Sequence, residues 1–184
     1  SSEYSQTACG FVLEFADVIT SGPMGLEYDN GTVGTGNIGG WEHSVMRTYV
    51  NSDVYNALPS TLKNAVLETK VISGHGNTSG EVNFVTQDKM YLFSSVEVWG
   101  GTYYDTVNSS LTRQADYYYN EHVTLTSNQS FAAKKKNGSD SRWWLRTAVS
   151  DYYVTYDNEV LSYNDEDVIT LWGNLYHFGT PAPE

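Results

Sequence analysis

The sequence predicts an α+β fold. Two early segments carry apolar residues at helical spacing, and from about Lys70 onward the pattern changes to short strands between Gly/Asn/Ser loops. Helices gathered ahead of irregular β structure, rather than alternating with it, are the mark of that class. At 184 residues the chain is most simply one domain, 1–184, with residues 1–10 open to being a linker. Neither an internal repeat nor a composition break divides it.

Residues 11–19 (Phe-Val-Leu-Glu-Phe-Ala-Asp-Val-Ile) alternate in part and read as an opening strand. A Gly-rich stretch from Gly22 to Gly40 follows, with Asn30-Gly31 as a turn signal. Trp41, Val45 and Tyr49 fall at helical spacing and predict a first amphipathic helix to about Val50. Pro59-Ser60 opens a second, with Ser60 as N-cap and Leu62, Ala65 and Val66 as its apolar face. Residues 88–94 form the clearest apolar run of the middle section, and residues 112–119 suit one more short helix. Lys134-Lys135-Lys136, the one basic run, adjoins Asn137-Gly138 and reads as a solvated loop. Near the end, residues 152–156 and 159–163 flank Asp157-Asn158 as a hairpin with a two-residue turn, and Val168–Trp172 makes another strand. Trp41, Leu58, Leu92, Trp99 and one of Trp143 or Trp144 are the expected core. A strand over 143–148 would turn one tryptophan inward and leave the other, with Arg146, facing differently.

Composition restricts the function classes. Ten basic against 22 acidic residues give a net charge of −12, and a surface of that sign repels phosphate backbones, so nucleic acid is not an expected partner. No apolar stretch approaches the roughly 20 residues that span a bilayer, so direct membrane insertion is not expected. The chain begins at serine without a visible signal peptide, which suits a processed or excised piece whose targeting signal lies elsewhere. Cys9 stands alone, which rules out an internal disulfide or a Cys-rich metal site and reads as a small buried apolar residue.

Candidate chemistry is sparse. His75 sits in Ser73-Gly74-His75-Gly76-Asn77, and a catalytic histidine needs an orienting acid and a nucleophile within reach. Neither Gly-x-Ser-x-Gly nor His-Glu-x-x-His occurs, and histidines 43, 122 and 177 lack zinc-ligand spacing. No catalytic residue, metal ligand or cofactor is expected. The acidic run Asn164-Asp165-Glu166-Asp167 has oxygens that suit calcium but lacks EF-hand spacing, so a solvated turn is the preferred reading. Asn-x-Ser/Thr sites at Asn30, Asn77, Asn108, Asn128 and Asn137 point to exposed loops.

The strongest functional signal lies at the C-terminal end. Residues 149–184 contain no lysine or arginine but hold tyrosines 152, 153, 156, 163 and 176, Trp172 and a series of acids. Tyrosine gives broad, stiff contact area with a polar tip, and asparagine and aspartate add adaptable hydrogen bonds, a combination that binding surfaces use. The candidate ligand contacts are Tyr152, Tyr153, Tyr156, Asp157, Asn158, Tyr163, Asn164, Asp165, Trp172 and Asn174. Trp172 has a second reading, as core, because its run is apolar. An ordinary terminal hairpin with polar loops is the competing reading for the whole segment.

Several motifs in order carry a resemblance. They are Gly39-Gly40-Trp41, Met46-Arg47-Thr48-Tyr49-Val50-Asn51, Tyr55-Asn56-Ala57-Leu58-Pro59, Val71-Ile72-Ser73-Gly74-His75-Gly76 and Asp88-Lys89-Met90-Tyr91-Leu92-Phe93-Ser94. After them come Glu97-Val98-Trp99-Gly100, Leu111-Thr112-Arg113-Gln114 with Asp116-Tyr117-Tyr118, and Trp143-Trp144-Leu145-Arg146-Thr147-Ala148. The chain resembles the WWLRS-type bacterial domain found in Gram-positive surface proteins and phage tail proteins. Such domains usually close on Gly-x-x-Pro-Ala-Phe, whereas this chain has Phe178-Gly179-Thr180-Pro181-Ala182-Pro183. The resemblance implies a C-type-lectin-like fold, with two helices packed on a small twisted, mostly antiparallel sheet and long irregular loops. It further implies a non-catalytic ligand-binding or adhesin module, extracellular on a cell surface or virion, whose late region faces a host or bacterial surface protein or glycan. Some domains of this fold are diversified by a retroelement, which the Tyr/Asn/Asp-rich end would fit. Two alternatives stand beside it: an enzyme related to the formylglycine-generating fold, which would need a cysteine pair that Cys9 alone cannot supply, and a purely structural spacer.

Overall fold

The structure, a computed structural model, describes residues 11–21, 40–75, 80, 82–101, 112–141 and 143–147. Cys9, the Gly-rich stretch, and every expectation placed after Thr147 (the hairpin, the 168–172 strand, the acidic run and all ten candidate contacts) lie outside those residues. The described part mixes short helices with two separate two-stranded antiparallel sheets, which makes the architecture α+β.

The helical region begins where Gly40 turns the chain, with φ of 50°. A Cβ there would also come within 2.6 Å of the Phe84 ring, so both conformation and space call for glycine. Trp41 follows in a single 3-10 turn, Trp41–His43, and is wholly buried. Ser44 caps α1 (Val45–Tyr49), its side chain accepting from the Arg47 amide at 3.0 Å. The chain then continues through a π-helical turn, Val50–Val54, into α2 (Tyr55–Ala57). The helical run is therefore longer than the sequence suggested, and its buried face is Met46, Val50 and Val54, with Val45 and Tyr49 only half-buried. Leu58, placed before Pro59, takes the extended conformation that proline imposes on its neighbour and ends the run. In α3 (Ser60–Ala65) the N-cap position belongs to Pro59, not Ser60, and no side chain caps it. Leu62 and Val66 are half-buried and Ala65 is exposed, so the expected apolar face exists but is not sealed.

β1 (Thr69–Ser73) pairs antiparallel with β2 (Phe84–Asp88), with Thr69 opposite Asp88 and Val71 opposite Thr86. Alternation in β2 turns Thr86 and Asp88 inward and Val85 and Gln87 outward. The 88–94 run then crosses the core as a connector, with Phe93 buried but Leu92, an expected core residue, only half so.

α4 (Ser95–Trp99), which the sequence reading missed, is buried at every position. Its signal was Ser94-x-x-Glu97: Ser94 accepts from the Glu97 amide while Glu97 accepts from the Ser94 amide, a reciprocal capping box. Gly100 ends the helix in the left-handed conformation. α5 (Asp116–Asn120) overlaps the C-terminal half of the 112–119 segment expected to be helical and buries Tyr118. Gln114, just before it, donates to the carbonyls of Val98 and Val123, both at 2.7 Å, joining the two helical segments.

The lysine run is not a loop. It is β3 (Lys134–Lys136), paired with β4 (Ser139–Ser141) through Asn137-Gly138, whose φ values of 55° and 84° suit a two-residue hairpin turn. Lys134 is buried because its ammonium lies over the Trp143 ring, 4.9 Å from the centroid, and also reaches Glu14 and the Phe15 carbonyl, each at 2.7 Å.

Two corrections concern strands. Residues 11–19 form no strand: among the described residues the one backbone–backbone link is Val18 N–H to Lys135 O at 2.8 Å, and side chains take over the other ties. Asp17 accepts from the Lys135 amide, and Glu14 accepts from the Tyr118 hydroxyl and Lys134. Residues 143–147 are extended without ladder pairing, Arg146 N–H reaching Phe93 O at 2.9 Å. Alternation nonetheless operates there. Trp143 and Leu145 join one core cluster with Val98, Trp99, Tyr118 and Val123; Trp144 packs on the other, around Trp41, Met46, Val50 and Val71. Arg146, expected to face away from the core, is completely buried.

Candidate functional site

Three features of the described residues have the chemistry of a site or of its support. The first centres on Asp88. Its carboxylate is buried and accepts from the Trp41 indole at 2.9 Å, the Thr86 hydroxyl at 2.6 Å, the Arg47 Nε at 2.8 Å and the Asn51 amide at 3.4 Å. Asn51 belongs to the π-helical turn, which places it across from the connector. There its Oδ1 accepts from the amides of Lys89 and Met90, both at 3.0 Å, and its Nδ2 donates to Met90 O at 2.8 Å. One asparagine side chain thus satisfies three backbone groups, as a neighbouring strand would. A polar cleft of about 400 Å³ opens beside this hub, between Arg47, Asn51, Glu68, Gln87 and Lys89.

The second feature is the root of the C-terminal segment. Arg146 donates to Glu97, to Leu92 O at 2.5 Å and to Ile72 O at 3.2 Å, with neither charged side chain exposed. Its guanidinium carbon lies 5.4 Å from the Tyr91 ring centroid. Burial, reinforced by Glu97, pushes the Tyr91 hydroxyl well above its ordinary range. Thr147, also fully buried, accepts the Ser95 amide at 2.8 Å. α4, β1 and the connector thereby converge on two consecutive residues, and everything after them starts from a fixed point.

The third feature is an apolar groove of about 460 Å³. The helical face contributes Val54, Leu58 and Leu62, the floor includes Tyr91 and both Trp143 and Trp144, and the 11–21 segment forms the opposite wall. Phe11, Leu13, Ile19 and Leu67 along it are mostly exposed, which is an unusual concentration for a soluble surface. Leu58 and Leu92 are half-buried because they line this groove.

These features do not include the residues singled out by sequence. Tyr152, Tyr153, Tyr156, Asp157, Asn158, Tyr163, Asn164, Asp165, Trp172 and Asn174 all lie outside the described residues. His43 and His122 are exposed, His75 follows β1, and no three His, Cys, Asp or Glu side chains gather among the described residues as a metal site would require. Among the same residues no helix is long and apolar enough to cross a membrane. The Asp88 hub went unread because its members come from three separate segments. Only Asp88 being an acid at the inward phase of a β pattern hinted at it.

Comparison with known proteins adds a family. Searches of curated proteins and of solved structures each find no match. Residues 26–172 match the family model described as Domain of unknown function (DUF6273), a span that runs from the Gly-rich stretch through the fixed root into the Tyr/Asn/Asp-rich segment. The chain belongs to that family.

Proposed function

We propose that this chain is a non-catalytic ligand-binding module of C-type-lectin-like architecture, carried by a bacterial surface or phage tail protein. It would act outside the cell, through its C-terminal surface, on a surface protein or glycan. The observation that carries the reading is the junction at Arg146-Thr147. Two fully buried residues, fixed by Glu97, Leu92, Ile72 and Ser95, lead directly into a segment rich in tyrosine, asparagine and aspartate and free of lysine and arginine. A rigid base below a chemically adaptable segment separates folding from recognition, so contacts can vary while the base remains intact. Tyrosine faces with carboxylates and amides also suit sugars, stacking on the ring while bonding its hydroxyls.

The test is a glycan and surface-protein array probed with the intact chain. Tyr153→Ala and Tyr156→Ala should each weaken the captured ligand by about 2 kcal/mol, roughly thirtyfold, as central aromatic contacts do. Their melting temperatures should match the parent's. Normal binding by both variants places the site elsewhere, and the Asp88 cleft then becomes the region to substitute.

A further inference from the structure

We infer that the apolar groove is the seat of the chain's own run Val168-Ile169-Thr170-Leu171-Trp172, so that the C-terminal segment is divided between an anchor and a ligand-facing part. The groove exists whatever the ligand, so the anchor does not rest on the proposed function; only the ligand-facing role of the remainder does.

The groove demands an occupant. Its walls and floor are aliphatic and aromatic, and Phe11, Leu13, Ile19 and Leu67 stand largely in solvent beside it. Left open, that surface would expose apolar area of the kind proteins cover with a partner or with themselves. The segments outside the described residues supply a matching piece. Residues 168–172 hold four aliphatic or tryptophan side chains in five positions with no charge, whereas apolar residues in 22–39 are isolated between glycines and polar residues.

Geometry and charge agree. Trp143 and Trp144, in the floor, lie only a few residues before Thr147, where the outgoing segment begins. Twenty residues, 148 to 167, separate Thr147 from Val168. At about 3.3 Å per residue they reach further than the ~40 Å diameter expected of a domain this size. Asp165-Glu166-Asp167 immediately precede the run, and Lys89, an exposed cation, lines the groove. A segment of the same chain also arrives at millimolar effective concentration, which favours it over a second copy. Trp172, given two readings by the sequence, is then an anchor residue, and under the proposed function ligand contact falls to residues 152–163.

The experiment uses the intact chain with Cys9→Ser, so that no natural thiol competes. Leu62→Cys in the groove is combined in turn with a single cysteine substitution at each of positions 168 to 172, and the variants are equilibrated in a glutathione redox buffer. Asn120→Cys, at the end of α5 and away from the groove lining, paired with Leu171→Cys is the control. At least one groove pair should close an intramolecular disulfide ten times faster than the control and migrate as a monomer. The chain without engineered cysteines should bind little of an environment-sensitive hydrophobic dye, and Leu171→Asp with Trp172→Asp should raise dye binding severalfold. Only intermolecular disulfides would mean that the groove seats a second copy, and no pair faster than the control would mean that the run lies elsewhere. Strong dye binding by the parent chain would show an open groove. Each of these three results overturns the inference.

Discussion

Arg146 and Glu97 face each other across the junction of α4 and the final described segment, and neither side chain reaches solvent. The same Glu97 carboxylate accepts the Ser94 amide, so one group caps a helix and neutralises the arginine that closes the fold. A buried pair is costly to desolvate, and removing one partner strands the other's charge.

Arg146→Met should therefore destabilise the protein by about 3–5 kcal/mol. Glu97→Gln keeps a cap acceptor but loses the charge, and should also be severe. The double variant should be less unstable than the sum of the two, because no buried charge remains unpaired. Urea unfolding of all three reads this, and a loss below about 1 kcal/mol for Arg146→Met would show the pair to be dispensable.

At the Asp88 hub the order of effects is the prediction. Asp88→Ala leaves the Trp41 indole without its acceptor in a buried site and releases Arg47 and Asn51, at a cost of about 3 kcal/mol. Arg47→Ala should cost nearer 1 kcal/mol, since its side chain is 29% exposed and water screens the pair. Equal losses from the two would mean that the hub is held by the ion pair and not by burial.

Alkaline pH should unfold the protein through Tyr118. Burial, followed by the adjacent Glu14, raises its hydroxyl well above the ordinary value of 10.0. The folded state therefore holds a proton that the unfolded chain gives up. This stability is fully present below pH 10 and declines as pH rises above it. Thermal melts between pH 8 and 11 should show the fall, and Tyr118→Phe should flatten it. An unchanged slope in that variant would assign the alkaline loss to other groups.

Two glycines at positive φ differ in their surroundings. Gly138→Ala, with no atom near the new methyl, should cost about 1 kcal/mol from backbone strain alone. Gly40→Ala adds a collision with the Phe84 ring and should cost at least twice as much, on the order of 2–3 kcal/mol. Comparable melting temperatures for the two variants would show that the Phe84 ring moves aside without penalty.

The sequence by itself determined features set by near neighbours. Apolar spacing located the helical regions that begin near Trp41 and Ser60, though not α4, and spacing with the resemblance put Trp41, Trp99 and one of Trp143 or Trp144 in the core. Tertiary structure decided what depends on distant partners. Lys134 enters a β-hairpin and the core only because Glu14, Phe15 and Trp143 come to it. The helix phase moved to Met46, Val50 and Val54 because Asn51, in a π-helical turn, is committed to the connector at Lys89 and Met90. Residues 11–19 alternate like a strand, yet among the described residues their backbone makes one backbone–backbone bond, and the Phe15 carbonyl, Glu14 and Asp17 bond instead through side chains. Alternation turns Arg146 away from the inward tryptophan, yet a carboxylate and two carbonyls from three segments enclose it. A charge or a backbone group is stable in the interior only where its complement is delivered, and the delivery comes from residues far away in sequence.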